Sequence, residues 1–215
     1  MSWLKVIIFA ISTAVLTAVL NLIPALNGTS FQDIAISYEC WILFAVFIIV
    51  NCQKWYEAAL KTFVFFLISQ PLIYLIEVPF DAMGFKLFMY YDFWFIVTLL
   101  TLPGAAIAFL VKRKDWLSVA VLSVANIFLG YIAVCYFWVV RYKFPYHLLS
   151  MIFCVALALF FVFTLLDKKS HRIVAILVIV AAITVSLFML KPNSSATINL
   201  GEGNWNCTVE NSDIV

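Results

Sequence analysis

Seven stretches of the chain are apolar over nearly the length, about 20 residues, that a helix needs to cross the hydrocarbon core of a membrane. They cover residues 4–23, 34–51, 58–76, 93–111, 116–140, 148–166 and 173–190. Hydrophobic residues make up 66% of the chain and charged residues 11%, whereas soluble proteins carry about 25% charged residues. The sequence therefore predicts an all-α polytopic membrane protein, a bundle of about seven transmembrane helices that makes multiple passes through the cell membrane.

Several classes of protein are disfavoured by the charged residues, the cysteines and the histidines. The net charge is +2 and Lys and Arg form no long cluster, unlike the basic stripe of a nucleic-acid-binding protein. The five cysteines show no Cys-x-x-Cys spacing, and the two histidines, His147 and His171, fall on opposite predicted sides of the membrane. We therefore expect neither a disulfide framework nor a metal site, and we expect His171, in the inner turn DKKSHR, to be solvated.

Basic residues predict the orientation of the helices, because Lys and Arg near the ends of spans accumulate on the cytoplasmic side. With the N-terminus inside, nine of the 13 basic residues are cytoplasmic. Seven spans then put the C-terminus outside, so that residues 191–215 form an extracytoplasmic tail after the transmembrane bundle of residues 1–190. In this tail TINL and WNCTV alternate apolar and polar residues on either side of GEGN, a pattern typical of a β-hairpin.

A glutamate lies in the apolar run SYECWILFAVFIIV, where an ionised side chain is costly unless it is paired or lines water. Polar residues that could meet this Glu39 lie in the predicted outer half of the bundle. Gln70, Tyr74 and Glu77 form an i, i+4, i+7 stripe on the third span, and Arg141 ends the fifth. We predict an outward-facing, substrate-binding polar pocket in which Glu39 meets Arg141 or this stripe. The alternative is a structural ion pair, or a carboxylate that reaches the outer surface.

Small and amide side chains within the spans predict where helices approach each other closely. Gly104 and Ala108 form a small-xxx-small pair on the fourth span, and Asn126 and Gly130 share a face of the fifth. Asn126 is interpreted either as an interhelical hydrogen-bonding group, worth about 0.6–2 kcal/mol, or as a contact to a bound solute. We expect the first, fourth and fifth spans to form the tight interior and the seventh to face lipid.

The predicted function is transport or binding of a small solute, since Pro71 and Pro103 kink two spans in a small bundle that contains polar groups. The chain is short for a carrier built from two inverted halves, so we expect a homo-oligomer or a companion subunit in addition to the lipid bilayer. One alternative is a non-catalytic interaction, sensor or assembly subunit. Another is a membrane-embedded enzyme that acts on a lipid-linked substrate through Glu39, Glu77 and His147. No cofactor, catalytic residue or H-E-x-x-H, G-x-S-x-G or P-loop motif is predicted.

Overall fold

The computed structural model of the chain describes residues 1–190, 195–199 and 206–210. Up to residue 190 it is helical, with 3-10 turns at Pro24–Leu26, Gly84–Tyr90 and Phe109–Lys112. The α-helices are α1 (Trp3–Leu22), α2 (Ser30–Ile36), α3 (Tyr38–Val50), α4 (Trp55–Glu77), α5 (Tyr91–Ala108), α6 (Trp116–Tyr142), α7 (Leu148–Leu165) and α8 (Lys169–Met189).

Among the residues that the structure describes, six helical segments are long and apolar enough to cross a membrane: α1, α4, α6, α7, α8 and the stretch Gly84–Lys112, which contains α5. The predicted helical, membrane-compatible architecture is thereby confirmed. The remaining predicted span, residues 34–51, is divided at Ser37, whose extended backbone (φ −89°, ψ 160°) separates α2 from the 13-residue α3. The count of seven crossings and the orientation stay predictions.

The described part of the tail consists of two short strands. They are β1 (Ser195–Asn199) and β2 (Asn206–Glu210), which pair antiparallel with Ser195 opposite Glu210 and Asn199 opposite Asn206. Residues 200–205, which would form the turn of the predicted hairpin, lie outside the described residues. The hairpin as a whole therefore stays a prediction.

The chain divides into two compact units, and the first contains residues 1–27 and 34–110. In this unit α1 and α4 run in the same direction, because their starts and their ends meet. The Met1 amine donates a hydrogen bond to the Asn51 carbonyl (2.9 Å), and the Lys61 ammonium donates to the Met1 carbonyl. At the other end, Nδ2 of Asn21 donates to Oε1 of Glu77 (2.8 Å).

The interior of the first unit is made by small residues of α1 and aromatic residues of its neighbours. Ala10, Ala14 and Ala18 recur every fourth residue and are fully buried. Thr13 and Thr17 are buried as well, with exposed fractions of 5% and 3%. Trp41 of α3 lies 5.7 Å from Phe66 between ring centroids, and Phe9 of α1 stacks on Phe65 at 5.0 Å. The prediction that the first span belongs to the tight interior is confirmed, since its alanines let the aromatic rings of α4 approach.

The second unit contains residues 28–33 and the chain from residue 111 onward, with α6 packed against both α7 and α8. At Gly130 helix α6 lies close to α8, because an added Cβ would be 3.4 Å from Cβ of Ala182 and 3.5 Å from Cγ1 of Ile183. Gly130 therefore confirms the predicted close packing of the fifth span, and its neighbour is α8.

One end of the second unit brings the start of α6 beside the turn that joins α7 to α8. The Lys114 ammonium lies 2.6 Å from the Asp167 carboxylate, and this hydrogen bond holds the pKa of Asp167 below its usual value. Next to it, the rings of Trp116 and His171 lie 4.5 Å apart. His171 is only 3% exposed, so the prediction that it is solvated is wrong: its imidazole packs against the Trp116 indole.

Candidate functional site

Glu39 lies in the first turn of α3, and the break before that helix holds its carboxylate. Ser37 occupies the N-cap position, and its Oγ donates a hydrogen bond to Oε1 of Glu39 (2.6 Å). A carboxylate in the first turn of a helix is favoured by the backbone N–H groups and the dipole of that helix. Only 1% of Glu39 is exposed, so the predicted burial of this acid within the apolar run holds.

Gln70 lies on the buried face of α4, in the same unit as Glu39. The side chain is 2% exposed, and its Nε2 has no hydrogen-bond acceptor among the residues that the structure describes. The hydroxyls of Thr62 and Ser69, buried on the same helix, likewise have no hydrogen-bond partner among the described residues. Leaving such a group unsatisfied costs about 1–3 kcal/mol, and buried polar atoms of this kind are normally bonded to ordered water or a ligand. The interior of the first unit therefore holds a polar stretch on α4.

Tyr74 and Glu77, the other members of the predicted stripe, find partners at the end of α4. The Tyr74 ring lies 5.9 Å from that of Phe88 and 6.1 Å from that of Tyr91. Glu77 accepts the hydrogen bond from Asn21 described above. Both residues thus help to join α4 to neighbouring segments of the first unit, and their predicted role in binding stays a prediction.

Asn126 and Arg141 lie on α6 in the second unit. Asn126 is fully buried, and neither its Oδ1 nor its Nδ2 has a hydrogen-bond partner within the described residues. Arg141 is exposed in the last turn of α6, with its guanidinium carbon 5.5 Å from the centre of the Trp138 ring. Because Glu39 and Arg141 belong to different units, their predicted meeting stays a prediction.

A buried cluster of polar side chains that sequence reasoning missed lies where α7 begins. Nδ1 of His147 lies 2.7 Å from Oδ2 of Asp33, and Oγ of Ser150 donates to the same carboxylate oxygen. The backbone N–H of Ser150 donates to Oγ of Ser30 (3.3 Å), and the His147 ring stacks on Tyr136 at 5.7 Å. The one local signal is the pair Ser30 and Asp33, three residues apart in NGTSFQD and therefore on one face of α2.

The arrangement of this cluster differs from that of a serine hydrolase. In such an enzyme the histidine accepts the proton of the serine hydroxyl, and the aspartate contacts the other ring nitrogen. Here Ser150 donates to Asp33 itself, so its hydroxyl is not activated as a nucleophile in this geometry. His147 adopts a left-handed backbone (φ 59°), which the bond to Asp33 and the stacking on Tyr136 hold in place.

Metal ligation and similarity to known proteins provide no further assignment. Among the residues that the structure describes, no three His, Cys, Asp or Glu side chains converge as a metal site would require. Comparison with protein-family models, curated proteins and solved structures gave no match. The function is therefore inferred from the polar groups in the helical interior.

Proposed function

We propose that the chain is a multi-pass protein of the cell membrane that binds a small polar solute, and transports it, at a pocket around Glu39 and Gln70. The observation that carries this proposal is the Gln70 amide, which is 2% exposed yet has an Nε2 without a protein acceptor among the described residues. A polar group in an apolar helix bundle is costly, and such groups line solute pathways in many membrane proteins.

The chemistry of the two side chains limits the class of solute. Gln70 offers amide hydrogens, and Glu39 offers carboxylate oxygens that accept hydrogen bonds. The indole Nε1 of Trp41, which is buried and has no acceptor within the described residues, adds a further donor on α3. A solute that carries both a hydrogen-bond acceptor and a hydroxyl or amine donor fits this set.

The proposed topology has seven crossings, with the N-terminus in the cytoplasm and the tail outside. The parallel arrangement of α1 and α4 supports it. If both helices cross the membrane in the same direction, the chain that connects them must cross back. α3 has the direction required: Tyr38 at its start lies 5.6 Å from Trp94 near the start of α5, and Asn51 at its end meets Met1. The 13 residues of α3 cover only about 20 Å at 1.5 Å per residue, so a crossing of a hydrocarbon core of about 30 Å also needs residues that precede Ser37.

The test is a screen of small polar solutes against the purified protein in nanodiscs, read as the midpoint of thermal unfolding. A ligand that binds only the folded protein raises this midpoint. We expect at least one solute to stabilise the wild type and to lose its effect in Glu39→Gln and in Gln70→Leu. Uptake of that solute into proteoliposomes then separates transport from binding.

Matched controls come from exposed residues of the first unit. Asp92→Asn removes a carboxylate from the first turn of α5, and Gln53→Leu makes the same amide-to-alkyl change in a loop. Both controls should respond to the solute like the wild type. A solute that stabilises all four variants equally would remove Glu39 and Gln70 from the site. Asn126 and Arg141, in the second unit, remain predicted contributors that the same screen tests one at a time.

A further inference from the structure

The second unit has an apolar groove between α6, α7 and α8, with a volume of about 450 Å³. Its walls are hydrocarbon and aromatic side chains, which include Ala133, Phe137, Met151, Val155, Ile183 and Leu187. A volume in this range suits a small molecule or a single chain. Since the lining offers no charged or hydrogen-bonding side chain, the groove fits an alkyl chain rather than a polar solute.

The face of α6 that lines the groove carries a basic residue in the last turn of the helix. On that helix Ala133 and Phe137 line the groove at a spacing of four residues, and the next position on the same face is Arg141. Arg141 is exposed in the last turn, with its guanidinium over the Trp138 ring. Lys143, just after the helix, is exposed as well. An apolar groove with a cation at its end matches an amphiphile with an anionic headgroup.

Asp33, an acidic residue beside the first turn of α7, is compatible with an anionic headgroup at this end of the groove. Asp33 is 1% exposed, and its carboxylate is bonded to His147 and Ser150. The same turn leads into the groove, because the backbone N–H of Met151 donates to the His147 carbonyl and Met151 lines the groove. The N-terminus of the 18-residue α7 itself favours a negative charge.

We propose that this groove holds one acyl chain of an anionic phospholipid, whose phosphate binds at Arg141. The alkyl chain lies between α6, α7 and α8, and the guanidinium, which is suited to bidentate phosphate contacts, holds the headgroup. The Trp138 indole beside it belongs to the residue type that favours the headgroup level of a membrane. The groove and Arg141 belong to the second unit, whereas Glu39 and Gln70 belong to the first.

The experiment measures lipid binding to delipidated, full-length protein by native mass spectrometry, with phosphatidylglycerol and phosphatidylcholine as probes. We expect one retained phosphatidylglycerol, bound more tightly than phosphatidylcholine. Two substitutions at exposed positions of the groove wall, Ala156→Phe and Ile152→Trp, fill the groove and should abolish retention. Ala181→Phe makes the same change at an exposed position of α8 outside the groove and should retain the lipid.

The headgroup is tested by Arg141→Gln. A basic residue near an anionic membrane surface contributes about 1 kcal/mol, so we expect affinity for phosphatidylglycerol to fall about fivefold, toward that for phosphatidylcholine. Lys169→Gln, which removes an exposed cation at the start of α8, should leave this preference unchanged. Equal retention in Ala156→Phe, Ile152→Trp and Ala181→Phe would overturn the groove assignment. Equal binding of the two lipids by the wild type would overturn the headgroup assignment.

Discussion

Glu39 illustrates how a single residue can make an acid tolerable inside an apolar helix bundle. The carboxylate needs a donor and a favourable field, and the chain provides both locally. Ser37 donates a hydrogen bond at 2.6 Å, and the break it makes before α3 puts Glu39 in the first turn of a new helix. An unbroken helix across residue 37 would have placed the same acid in a helix interior, with its neighbouring N–H groups already used.

Ser37→Ala should therefore destabilise the first unit. The substitution removes the hydroxyl that donates a hydrogen bond to the buried Glu39 carboxylate. Hydrogen bonds to charged groups are worth about 1.5–3 kcal/mol. The free energy of unfolding, measured by titrating the protein in mixed micelles with dodecyl sulfate, should fall by that amount. Ser170→Ala, at an exposed serine of α8, is the control. A loss no larger than that of the control would show that Ser37 does not support Glu39.

The sequence predicted the burial of Glu39 correctly because hydropathy is local along the chain. It could not reveal the cluster of Asp33 and His147, since these residues are separated by 114 positions and neither lies on a periodic polar stripe. Which polar groups meet across helices depends on helix rotation and packing, and these are set by many weak contacts. Gln70 was named from the sequence because it begins the polar stripe of Gln70, Tyr74 and Glu77 on one helix face, and its role in binding stays a prediction.

At the scale of helices, close approach depends on which small residues actually face a neighbour. Gly130 does: an added Cβ would stand 3.4 Å from Ala182. Gly104 does not, since a Cβ there would have no atom within 4 Å in the described part of the chain, and the predicted small-residue contact at Gly104 is wrong. A small-xxx-small spacing identifies a face that permits close packing, but the partner helix must also be there.

Gly130→Leu should weaken the packing of α6 on α8. A leucine must displace Ala182 or Ile183, and overpacking of this kind costs about 1–3 kcal/mol of folding stability. By contrast, the single methyl group of Gly130→Ala makes ordinary contacts and should change stability little. The midpoint of unfolding in dodecyl sulfate is the measurement. Gly104→Leu, with open space around it, is the matched control. Equal losses at the two glycines would contradict this packing.

At the scale of the whole molecule, the length and apolarity of six helices followed from the sequence, but the shape of the remaining predicted span did not. Residues 34–51 read as one apolar run, and the break at Ser37 is a single extended residue that hydropathy averages away. The direction of α1 relative to α4 was likewise inaccessible, because it depends on contacts such as that between Asn21 and Glu77.

The proposed seven crossings can be checked by labelling single cysteines, introduced into a cysteine-free background, with a membrane-impermeant maleimide in intact cells. Ser2→Cys and Gln53→Cys should both be protected, and Met83→Cys and Phe144→Cys should both react, since these positions are exposed at alternate helix ends. If residues 23–54 did not cross the membrane, Gln53→Cys would react and Met83→Cys would be protected. That pattern would contradict a crossing by α3.

The decisive measurement is electron cryomicroscopy of the protein in nanodiscs, at a resolution that reveals ordered water and small ligands around Glu39 and Gln70. The proposed function predicts density within hydrogen-bonding distance of Nε2 of Gln70, in a cavity that also reaches the Glu39 carboxylate. A dry interior, in which a protein group accepts from Gln70 and Glu39 is sealed by side chains on every side, would contradict a solute pocket in this unit.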